Sequence, residues 1–85
     1  MKIVDIKDTV DLMISPDYKE RFRAEYYQLK LRYNKLKAML KDWEDGALTF
    51  LPTCPKSTYR LQLEAMEKYL AILETRARME KIGGI

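Results

Sequence analysis

The sequence contains no histidine and a single cysteine, Cys54, among its 85 residues. A lone thiol cannot close an intrachain disulfide, and without imidazole a structural zinc site would have to be built almost wholly from carboxylates. Glycine and proline are scarce too, three of each, so few points break regular structure. No apolar run is long enough to span a bilayer. The opening stretch "MKIVDIKDTVDLMIS" is interrupted by Asp5, Lys7, Asp8 and Asp11 and lacks the h-region of a secretory signal. A cytoplasmic location is therefore expected, which suits a reduced thiol.

What is present is apolar, aromatic and cationic. Eighty-five residues make one domain, below the size at which a single core supplies a comfortable stability margin. With disulfides and zinc set aside, self-association is the remaining remedy. The net charge of +3 is modest but unevenly placed. Residues 1–17 carry Lys2 and Lys7 against four aspartates, whereas residues 18–41 carry eight basic side chains against Glu20 and Glu25.

The periodicity is helical. Ser15, Pro16 and Asp17 read as a helix start: a capping oxygen, a proline at the first position and an acid at the positive end of the dipole. Phe22, Tyr26, Leu29, Tyr33, Leu36, Leu40 and Trp43 then recur at alternating spacings of four and three, one seam of a helix over residues 16–45. Gly46 closes it, and residues 46–54 form a connection whose Leu48, Phe50 and Leu51 are expected to pack back on the hairpin. A second long helix is expected over 55–82, with Tyr59, Leu63, Met66, Leu70, Leu73 and Ala77 as its seam and Gly83-Gly84 as its end.

The fold class is thus all-α, an antiparallel hairpin of two long helices preceded by a short N-terminal helix or arm over 1–14, all within one domain. The last helix also carries Ala65, Tyr69, Ile72, Met79 and Ile82 beside its seam, a wider apolar face than one partner helix needs. The N-terminal segment is expected to cover part of it and other copies of the chain the rest, as a helical homo-oligomer.

Two stretches carry candidate chemistry. In "PTCPKSTYR", Cys54 and Arg60 have the C-x5-R spacing of cysteine-dependent phosphatases, but Pro55, Lys56, Ser57, Thr58 and Tyr59 lack the glycine-like freedom that a phosphate loop needs, and Pro55 has no N–H. Lys56, Ser57 and Arg60 remain as an anion-contacting patch at a helix start, or as a plain solvated cap. On the first long helix, Arg23, Tyr27, Lys30, Asn34, Lys37 and Lys41 form a cationic stripe with an aromatic in it. There Arg23, Lys30 and Lys37 are candidates to pair with phosphates and Tyr27 to stack on a base; the plainer account is a solvated helix face. Of the six tyrosines, Tyr26, Tyr33 and Tyr59 belong to the seams, and Tyr18, Tyr27 and Tyr69 are freer to meet a ligand or partner.

The runs "EYYQLKLRYNKLKAML" and "STYRLQLEAMEKYLAILETRA" resemble the small helical-hairpin proteins encoded by phages and prophages of gut bacteria and related to a crAss-like phage protein. A more distant architectural similarity is to the hairpin domains of anti-CBASS and anti-Thoeris sponges. Those sponges form symmetric helical oligomers and hold cyclic nucleotide or cyclic ADP-ribose-type signals between protomers without cleaving them. The resemblance implies a non-catalytic phage counter-defence protein in the host cytoplasm, with itself and a phosphate-bearing nucleotide as partners and no cofactor. The alternatives are a protein-binding inhibitor of a host defence enzyme, of anti-CRISPR type, and a structural or assembly hairpin.

Overall fold

The computed structural model describes residues 2–85. A 3-10 turn, Ile6–Thr9, runs into the one-turn helix α1, Val10–Met13, followed by the long helices α2, Tyr18–Glu44, and α3, Lys56–Met79. Asp5 and Asp8 close the first turn with a reciprocal capping box. Asp17 caps α2, its carboxylate accepting from Lys19 N at 2.9 Å. Ser15, expected as the cap, instead accepts from Asp17 N and donates to Glu20, both at 3.0 Å, and Pro16 lies outside the helix. The aspartate takes the role because its carboxylate reaches the second helical amide directly.

Both long helices end in the same six-residue closure. At α2, Gly46 adopts φ +73°, Gly46 N donates to Trp43 O, and Ala47 N donates to Asp42 O at 2.8 Å. At α3 the left-handed residue is Lys81, φ +57°, with Ile82 N donating to Ala77 O at 2.8 Å. The last helix thus stops at Met79 rather than running to residue 82, and Gly83-Gly84 lie beyond its end. The reason is Ile82, which buries in the same cluster as Ala77 and so stabilises the reversal.

α2 and α3 pack as an antiparallel pair in a molecule measuring 43 × 24 × 18 Å. Phe22, Tyr26 and Tyr33 from α2 meet Leu70, Leu73 and Ala77 from α3, with Leu29, Leu63 and Met66 half-buried against them. The two seams read from the sequence are this core. Trp43 meets Tyr59 edge-on, ring centroids 6.4 Å apart, at the far end.

Two expectations are corrected. The N-terminal segment packs on α2 and not on α3. There Gln28 donates to the buried Thr9 hydroxyl at 2.9 Å, and Ala24, one turn earlier, is buried, its small side chain allowing close approach. The second stripe of α3 stays open: Ile72 is 58% and Met79 78% exposed, and of that stripe only Ile82 is buried. In the connection, Leu48 is half-buried but Phe50 and Leu51 are 57% and 85% exposed. They lie past the end of the seam, where no third element reaches.

Candidate functional site

The residues after α3 turn back across α2. Arg23 Nε donates to Gly83 O at 2.8 Å, the Tyr27 hydroxyl donates to Gly84 O, and Lys19 Nζ reaches Lys81 O at 3.4 Å. Residues 82–85 therefore form a strap, pinned at one end by buried Ile82. Gly84 holds φ +84° against the Tyr27 hydroxyl and the Arg23 guanidinium. Sequence reasoning placed Arg23 and Tyr27 on an open face. Their polar atoms instead meet the strap, because carbonyls left over past a helix end find donors on the neighbouring helix.

Farther along the same face, Lys30 and Lys37 both lie 5.7 Å from the centroid of the Tyr33 ring, one turn before it and one turn after it. The ion pairs formed among the described residues are Lys41–Asp45, Arg60–Glu44 and Arg76–Glu80, so Arg23, Lys30 and Lys37 have no carboxylate partner there. The neighbouring carboxylates are taken by tyrosines. Glu74 accepts from Tyr26 at 3.0 Å, Glu67 from Tyr33 at 2.8 Å, Glu80 from Tyr18 at 2.8 Å, and Glu25 from Tyr69. A neutral hydroxyl satisfies each acceptor without consuming a lysine, and the positive field of α2 persists.

These bonds leave their mark on ionisation. Desolvation, followed by the Glu74 hydrogen bond, pushes Tyr26 up to about 12. Tyr33 and Tyr18 are raised chiefly by donating to Glu67 and Glu80, and Glu80 is lowered chiefly by accepting from Tyr18. The hydroxyls of Tyr18 and Tyr69 are thus engaged within the chain, while their rings stay exposed, as expected from their place outside the seams.

Between α2 and the two ends of the chain lies a cleft of about 370 Å³. α2 supplies Tyr26, Tyr27, Lys30, Leu31 and Asn34, Ile3 closes one side, and Gly84 with Ile85 closes the other. Its walls are mostly apolar and aromatic, with one amide side chain, one cationic side chain and no acidic side chain. That is the composition of a small-molecule pocket, and the volume is within the roughly 300–1,000 Å³ such pockets occupy. Of the seven candidate residues, the cleft gathers Tyr27 and Lys30. Arg23 stands behind the strap, and Lys37 lies two turns beyond Lys30.

Lys56, Ser57 and Arg60 are at the opposite end of the hairpin. Lys56 Nζ sits 5.0 Å over the Trp43 ring and Arg60 pairs with Glu44 at 2.7 Å, while Ser57 is exposed in the first turn of α3. From Tyr27 to Glu44 is about 25 Å along α2, at 1.5 Å per residue, so one chain does not join the two patches. Cys54 is exposed, with Pro55 as the helix cap, an arrangement that turns no ring of amides inward.

The chain matches a family model, Sequestin, over residues 16–79. The chain belongs to the Sequestin family. The match spans α2, the connection and α3, and the family's name denotes sequestration, a binding role rather than a catalytic one. No curated protein and no solved structure matches the chain significantly. The Sequestin segment contains the α2 wall of the cleft but neither Ile3 nor the strap. The strap was missed in the sequence because the glycine pair looked only like a helix stop. Among the described residues, no helix is long and apolar enough to cross a membrane.

Proposed function

We propose that this Sequestin-family chain is a non-catalytic phage counter-defence protein. It binds and sequesters a phosphate-bearing nucleotide signal of the cyclic oligonucleotide or cyclic ADP-ribose type. The observation that carries the reading is the cleft on α2: half-buried Tyr27 offers aromatic surface, and Lys30 offers a cation without a carboxylate partner. Lys30 and Lys37 pair with phosphates, and Tyr27 stacks on a base. Sequestration needs affinity and abundance rather than transition-state stabilisation, so no general base or nucleophile is required.

The working form is a homo-oligomer. Leu61, Ala65, Tyr69, Ile72 and Met79 leave one flank of α3 apolar and open, and a second copy of α3 is its occupant. An antiparallel pairing sets Glu64 near the basic end of the other copy, where Arg78 stands without an ion-pair partner among the described residues, so the rim is complementary to itself. Lys56, Ser57 and Arg60 contact the ligand only from such a neighbouring chain. Isothermal titration against cyclic di- and trinucleotides and cyclic ADP-ribose isomers tests the proposal. Saturable heat with one member supports it, and absence of heat with every member removes it.

A second reading, a protein-binding inhibitor of a host defence enzyme, is favoured by one feature. Phe50 and Leu51 project from the connection as an exposed apolar tip. Phe50→Ser with Leu51→Ser separates the two, since it abolishes protein capture and leaves small-ligand heat unchanged.

A further inference from the structure

The cleft is shaped more narrowly than the sequestration reading requires. One wall is the α2 surface and the facing wall is the strap, whose last residues, Gly84 and Ile85, line it. Arg23 does not line the cleft at all. Its Nε instead fastens the strap through Gly83 O at 2.8 Å. Inside, half-buried Tyr27 meets the core residue Tyr26 edge to face with centroids 5.7 Å apart, and its own ring offers surface for a flat group. Lys30 and Asn34 stand one turn apart on the same wall, a cation beside an amide that can both donate and accept.

We infer that this cleft receives one planar heterocycle with an attached anionic group, in chemical terms a nucleoside monophosphate unit, and that the strap is its second wall, held in place by Arg23. Tyr27 supports the ring, Asn34 bonds its edge, Lys30 takes the phosphate oxygen, and Ile85 closes over the far side. Arg23 is a positioning residue. It acts on the ligand through the strap and does not touch phosphate, which departs from the role its sequence neighbourhood implied. The ligand class rests on the sequestration reading; the place of binding and the part played by the strap do not.

The test uses the full chain, isotopically labelled, with adenosine 5′-monophosphate as the probe and amide chemical shifts as the readout. Saturable shifts confined to Lys30, Leu31, Asn34, Gly84 and Ile85 are expected. Deletion of residues 83–85, which leaves the Ile82 anchor, weakens the probe at least tenfold without lowering the melting temperature. Arg23→Ala weakens it severalfold and Arg23→Lys restores most of the loss, because a lysine can still donate to the Gly83 carbonyl. Unmoved cleft amides at millimolar probe, shifts centred on residues 56–60, or an unchanged or tighter Kd after the deletion each overturn the inference. Its fate is separable from that of the sequestration reading. A cyclic ligand that gives heat but leaves the cleft amides unmoved sinks the cleft alone, whereas probe binding in the cleft with no heat from any cyclic ligand sinks the sequestration alone.

Discussion

Tyr26 places a phenol ring in the core, with only 8% of the residue exposed, and its hydroxyl on the Glu74 carboxylate of the facing helix. A buried hydroxyl without a partner is costly, and here the partner comes from α3, so the bond also sets the register of the two helices. Tyr26→Phe should lower stability by about 1 kcal/mol, measured by urea denaturation at neutral pH. The pH dependence follows from the sign of the shift. Tyr26 is raised in the folded state to about 12, so its contribution is whole below the ordinary value of 10.0 and is lost as pH rises through about 12. The gap between the wild type and Tyr26→Phe should therefore narrow across that alkaline window, and a constant gap would contradict the assignment. The sequence showed the tyrosines on the seam; which glutamate each would meet depended on helix register, which a single chain's spacing does not specify.

The helix ends make a matched pair. Gly46 and Lys81 occupy the same left-handed position, one with a residue suited to it and one without. Gly46→Ala, whose added Cβ meets nothing nearby, should cost about 1 kcal/mol from backbone strain alone. Lys81→Gly should gain about 0.5–1 kcal/mol, partly offset by the freer unfolded chain. Thermal melting reads both, and the two shifts must have opposite sign. Gly46 was legible because glycine marks a helix stop; Lys81 was not, because the decisive contribution is burial of Ile82 against Ala77. On the body of α3, Ile72→Asp places a charge on an exposed flank and should change monomer stability by no more than about 0.5 kcal/mol. The same substitution should dissociate the proposed oligomer, which native mass measurement at micromolar concentration reports. An Ile72→Asp chain that keeps the wild-type mass would remove α3 as the interface.

At the scale of the whole molecule, charge and aperture matter together. The +3 chain gathers its basic residues on α2, while tyrosines rather than lysines satisfy the interhelical glutamates. Ligand binding at Lys30 and Lys37 should accordingly weaken severalfold on going from low to physiological salt, because exposed charge pairs are screened over about 10 Å. Titration at two ionic strengths checks this; an affinity indifferent to salt would point to the apolar wall of the cleft as the dominant contact.

The spacing of apolar residues along the chain determined the two long helices, their seams and their antiparallel pairing, since periodicity is a local property that burial then exploits. The cationic face of α2 was equally legible, being a matter of residue type and helical position. Only the tertiary structure decided that the N-terminal turn would cover α2 and leave α3 open, that Phe50 and Leu51 would stand in solvent, and that the strap would return over Arg23 and Tyr27 to make a cleft of an open face. The strap joins residues 57 and 60 positions apart and the N-terminal turn joins Thr9 to Gln28, through packing and hydrogen bonds whose reach no local pattern encodes.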